Sequence, residues 1–148
     1  MRRFSVVFLF LFSVVANAAT FSEAQNIYNK IIIDNNIQGP RLVLSSSNEV
    51  NADETDQRIS INKGMLRFVR NSSELALVLG HELAHFTLHH QSSTIAHEFA
   101  ADYQGAIYSG HAGYSVCTGA QIFKRFPPTG PNSDHPANAD RIKHLGCH

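Results

Sequence analysis

Apolar positions first fall into order at Ala24, Ile27, Tyr28, Ile31 and Ile32, whose three- and four-residue spacing predicts one face of an amphipathic helix over Phe21–Asn35. Ser22 can cap it, and Asn35-Asn36 and Gly39-Pro40 end it. The apolar run Arg41-Leu42-Val43-Leu44 then predicts a strand. Alternation at Arg58-Ile59-Ser60-Ile61-Asn62 predicts a second one, with Lys63-Gly64 turning out of it. The stretch from Asn51 to Gln57 is too polar for core and reads as their connecting loop. A longer helix follows from about Glu74 to Leu88 or His90, capped by Asn71 or Ser72, with Glu74 completing the pattern of a capping box. Gln91-Ser92-Ser93-Thr94 leads into a helix from Ile95 to about Ser109, and Gly110 and Gly113 break the chain before a third near Ser115–Phe126. Pro127–Ser133 is a rigid loop, and Pro136 opens a last helix that ends near Leu145. Helix, two strands, then helices: the order is that of an α+β domain.

The first eighteen residues stand apart. Met1-Arg2-Arg3 is basic, Phe4–Val15 is apolar, and Ala16-Asn17-Ala18 has the small-residue pattern of a cleavage site. The apolar stretch is shorter than the ~20 residues that span a bilayer. The reading is a signal peptide over 1–18, export to a periplasmic or extracellular location, and a single domain over 19–148, with an uncleaved anchor as the competing reading. That leaves no stable membrane insertion once the leader is removed. Without Arg2 and Arg3 the 12 Lys+Arg become 10, against 12 Asp+Glu, which is no electrostatic footprint for nucleic acid. Both cysteines, Cys117 and Cys147, fall in the exported part, where an even pair reads as one disulfide.

The chemistry lies in the long helix, at His81-Glu82-Leu83-Ala84-His85. Histidines four apart lie one turn above each other, so both imidazoles can reach one Zn²⁺, and the glutamate between them can take a proton from metal-bound water. A buried helix with two incidental histidines is the alternative. A catalytic zinc needs a third protein ligand. His89 is about 12 Å along the axis from His81, and Leu88 and Gln91 stand where the metzincin pattern needs Gly and His. Glu98, on a following helix that would fold back antiparallel, is the remaining choice, against a simple first-turn acid. Asp102, one turn beyond it, is placed to accept the second ring N–H of a ligating histidine. His90, His97, His111, His144 and His148 read as surface or core histidines.

Taken together, Asn51-Ala52, Arg58–Leu66, His81–His85, Glu98–Asp102 with Gly105 and Ala112-Gly113-Tyr114, and His135-Pro136 with Arg141-Ile142 and Leu145 resemble, in order, the peptidase family of HtpX and the CAAX prenyl proteases. The resemblance implies a compact zincin-like (gluzincin) domain with a small antiparallel sheet and the His-Glu-x-x-His motif on its active-site helix. It implies one Zn²⁺ per chain held by His81, His85 and Glu98, with Glu82 as catalytic base. His135 matches a histidine facing the cleft, which leaves open an oxyanion donor, a resting-state fourth ligand, or a loop residue without a role. Asn51 matches an asparagine beside the substrate, and the substrate itself would lie along an edge strand, here Arg58–Asn62. Arg141 reads as pinning the last helix by an ion pair. The implied activity is that of an exported zinc endopeptidase acting on protein or peptide substrates. A catalytically weak zinc-binding regulatory module and a toxin-like hydrolase for one partner are the alternatives.

Overall fold

The computed structural model describes residues 18–55, 57–130 and 133–148; the signal peptide expected over 1–18 lies, but for Ala18, outside them. Helix α1 (Phe21–Asp34) starts at a reciprocal cap. The cap is Thr20, two residues before the expected Ser22; it accepts from the Glu23 amide through its side chain, and Glu23 reaches back to the Thr20 amide. Ala24, Ile27, Tyr28 and Ile31 are its buried face.

Three strands follow: β1 (Arg41–Ser45), β2 (Ala52–Thr55) and β3 (Arg58–Asn62). Their order is β1-β3-β2, with β1 parallel and β2 antiparallel to β3. Two expectations are thereby corrected. The sheet is mixed, not antiparallel, and the segment expected as a loop over Asn51–Gln57 holds strand β2. The polar Ala-Asp-Glu-Thr run forms a strand because a hairpin partner, not an apolar alternation, supplies its ladder. Ile59 and Ile61 on the central strand are fully buried.

Lys63-Gly64 does not turn the chain but opens a short helix, α2 (Lys63–Phe68), which buries Met65 and Leu66. The long helix α3 (Ser72–Thr87) is the centre of the molecule. Every residue from Glu74 to Gly80 is buried, and Leu83 and Ala84 continue the run, as in a helix covered on all sides. It packs against α1, β2, the following helix α4 (Ile95–His111), and α5 (Val116–Ala120). The third helix is shorter than expected: past Ala120 the chain tightens to a 3₁₀ turn (Gln121–Lys124), which turns Ile122 and Phe123 into the core. Helix α6 (Asn138–His144) begins after Ala137, so Pro136 lies just outside it. Cys117 and Cys147 are joined, tying α5 to the turn after α6. Among the described residues no helix is long and apolar enough to cross a membrane.

Candidate metal and active site

Helix α3 is set by its first turn. Asn71 accepts from the Glu74 amide at 2.9 Å. The Glu74 carboxylate accepts from the Arg70 amide at 2.7 Å, not from the amide of the cap residue, and it pairs with Arg125. Two turns on, His81 and His85 bring their Nε2 atoms within 3.0 Å of each other. Helix α4, capped by Thr94, runs back along α3: the pairs 80–105, 81–102 and 85–98 run in opposite directions. The approach is closest at Gly80 and Gly105, where a Cβ on Gly105 would lie 2.6 Å from the His81 amide nitrogen. No side chain fits between the backbones, and that contact sets the reach of α4 toward the histidines.

Glu98 thereby enters the site, 2% exposed. Its Oε2 is 3.3 Å from His81 Nε2 and its Oε1 is 3.4 Å from His85 Nε2. Ser93 donates to Oε1 at 2.9 Å, while Oε2 is buried without a hydrogen bond. His81, His85 and Glu98 could hold a metal ion, each offering one donor atom. A tetrahedron with bonds of ~2.0–2.1 Å has edges of ~3.3–3.4 Å. The 3.0 Å between the two imidazole nitrogens and the 3.3 and 3.4 Å from them to the two Glu98 oxygens are of that size, and one donor atom from each residue lies within 4.8 Å of the others. Two imidazoles, a carboxylate and an unsatisfied buried oxygen suit zinc.

Behind His81 lies a chain of charge. Its Nδ1 is 2.9 Å from Asp102 Oδ1, and Asp102, 1% exposed, is held by Arg141 through Nε at 2.7 Å and Nη2 at 2.5 Å. Arg141 also lies over the Phe123 ring. Burial disfavours the charged form of Asp102, but Arg141 and His81 outweigh it and hold the carboxyl below its usual range. Burial likewise opposes the His81 imidazolium, and the Asp102 and Glu98 carboxylates overcome it, pushing His81 up to about 9 in the metal-free protein. A group of anions that raises an imidazole in this way is also a group that attracts a cation. Glu82 faces the cleft, where burial pushes its carboxyl up to about 7.

The cleft has a volume of about 540 Å³ and includes Asn51 and Ala52–Glu54 on one wall and Leu77, Ile122, Phe123 and Phe126 among its apolar positions. Strand β3, expected to be the substrate-facing edge, is the centre of the sheet, its hydrogen-bonding groups used on both sides. The edge at the cleft is β2. His135 arrives on the loop before α6, with Nδ1 3.2 Å from Glu98 Oε2 and a side chain 56% exposed. Ser93 is not singled out by the sequence, and His90, read there as a surface or core histidine, reaches the site. The Nδ1 of His90 lies 3.0 Å from that of His85. A serine in a polar connection carries no distinguishing signal, and His90 lies beyond the end of the helix whose periodicity would place it.

The α+β fold is compatible with a compact metallopeptidase domain. A family model for peptidase family M48 matches residues 18–97, more than half of the chain, and the chain belongs to that family, which contains HtpX and the CAAX-protease-like enzymes. The matched span contains His81, Glu82 and His85 and stops one residue before Glu98. No match was found among curated proteins.

Proposed function

We propose that the chain is an exported zinc-dependent endopeptidase of gluzincin type, one zinc per chain, with His81, His85 and Glu98 as ligands and Glu82 as general base. The observation that carries this is the buried Glu98 carboxylate, brought from a second helix to within 3.4 Å of both motif histidines, with one oxygen unsatisfied. When bound, the zinc supplies a Lewis acid that polarises a peptide carbonyl and lowers the pKa of a water. The rest is the work of the chain. Glu82, one residue from His81 and open to the cleft, takes the water's proton and returns it to the leaving amine. Asp102, itself held by Arg141, orients His81. An extended peptide adds to β2, an edge strand among the described residues, beside Asn51, so that recognition runs through backbone more than side chains. His135, whose Nδ1 is 3.2 Å from Glu98 Oε2, would donate to the developing oxyanion. The disulfide supports folding in an oxidising compartment, in keeping with a leader over 1–18.

Glu82→Gln tests the reading. It should retain zinc and lose cleavage of an unfolded protein such as casein by ~10²–10⁴-fold. Cleavage within a few-fold of wild type, at equal metal content, would show that Glu82 is not the base.

A further inference from the structure

On a continued helix, the position five residues past His85 lies about 140° around the axis and away from the metal. The chain does not continue the helix. α3 ends at Thr87 with Leu88 as its cap, and His89 takes the left-handed conformation, φ 54°. The His90 amide then donates to the His85 carbonyl at 3.1 Å and the His89 amide to the Phe86 carbonyl at 3.2 Å. These are the two bonds of a Schellman ending, which sets the second residue beyond the helix against the third from its end, usually through an apolar contact.

Here those two residues are His90 and His85, and the contact is polar. Their Nδ1 atoms are 3.0 Å apart and their rings meet edge to face. His97, in the first turn of α4, stacks on His90 with centroids 4.2 Å apart and planes 11° from parallel. The Nδ1 of His97 is in turn 2.7 Å from the Ser92 carbonyl, so the stack is anchored to the connection between α3 and α4.

We infer that His90 is the positioning residue of His85: it accepts the Nδ1–H of His85 and so fixes the ring with Nε2 toward Glu98 and His81. The inference rests on the reading of His81, His85 and Glu98 as a zinc site. A histidine bound through Nε2 carries its remaining proton on Nδ1, and neutral His90 offers an Nδ1 lone pair to it while its own proton sits on Nε2. The two metal histidines are thus held differently. His81 has a buried carboxylate behind it, His85 a neutral imidazole carried by the helix ending itself.

The test separates this from a purely structural role. His90→Leu restores the apolar contact usual at this ending but removes the acceptor, and His90→Asn keeps an acceptor oxygen. Zinc affinity of the purified chain, measured by competition with a chromophoric chelator, should fall about 10–100-fold in His90→Leu and recover most of that in His90→Asn. The metal-free melting temperature of His90→Leu should be no lower than that of wild type. Zinc affinity of His90→Leu within twofold of wild type, or equal losses in both variants, would overturn the inference while leaving the proposed zinc site standing. Wild-type protein that takes up no zinc would overturn both.

Discussion

The Gly80–Gly105 contact carries the sharpest stability prediction, because two glycines on the same helix should respond with opposite signs. A Cβ at Gly105 would lie 2.6 Å from His81 N and 2.7 Å from Gly80 C. Both are backbone atoms, so no rotamer change relieves the overlap. Ordinary contact begins at 3.4 Å, so α3 and α4 must part by about 0.8 Å in Gly105→Ala. Overpacking of this kind costs about 1–3 kcal/mol, and the better helix propensity of alanine returns up to about 1 kcal/mol. A net loss of up to about 2 kcal/mol should lower the Tm by several degrees in a domain of this size. The metal site should suffer more than the fold. Its ligands are divided between the two helices, and zinc tolerates bond-length changes of only about 0.2 Å. At Gly110, also in α4, an added Cβ meets nothing nearer than Val116 Cγ2 at 3.7 Å. Gly110→Ala should therefore stabilise by about 0.5–1 kcal/mol and leave the metal alone. Calorimetry and zinc titration on both variants check the argument. Gly105→Ala that melts no lower than wild type and binds zinc equally well would refute it.

His135→Ala distinguishes two roles at one position: loss of an oxyanion donor should cut kcat by roughly 10²-fold with KM little changed, whereas loss of a resting-state ligand should raise activity. Unchanged kcat and unchanged zinc affinity would eliminate both. Arg141→Met removes the partner of a buried carboxylate and should destabilise by about 3–5 kcal/mol. The double variant with Asp102→Asn should cost less than the sum of the two single changes in denaturant melts, and strict additivity would show that the pair is not coupled. Reduction of Cys117–Cys147, whose residues are 30 apart in sequence, should remove roughly 3.5 kcal/mol by the chain-entropy treatment. An unchanged Tm after verified reduction would show that the bridge adds no stability.

Much of the site was legible in the order of residues because helical geometry is local. Four-residue spacing puts His81 and His85 on one face wherever the helix lies, Asn71 caps it through its own neighbours, and the short connection from Leu88 to Thr94 folds Glu98 and Asp102 back toward it. With two cysteines in the chain, the pairing had a single solution. Strand pairing is not local in this sense. The Ala52–Thr55 run has no alternation of its own and becomes a strand through β3, while β3 loses its expected edge because β1 pairs on its other side. The meeting of Arg141 with Asp102, the distance from His135 to Glu98, and the turn that carries His90 back to His85 also depend on the folded chain. The sequence by itself determined which side chains one helix presents to a metal. The tertiary structure decided what stands behind each of them and which strand forms the sheet edge at the cleft, because those contacts join residues whose separation along the chain says nothing of their distance in space.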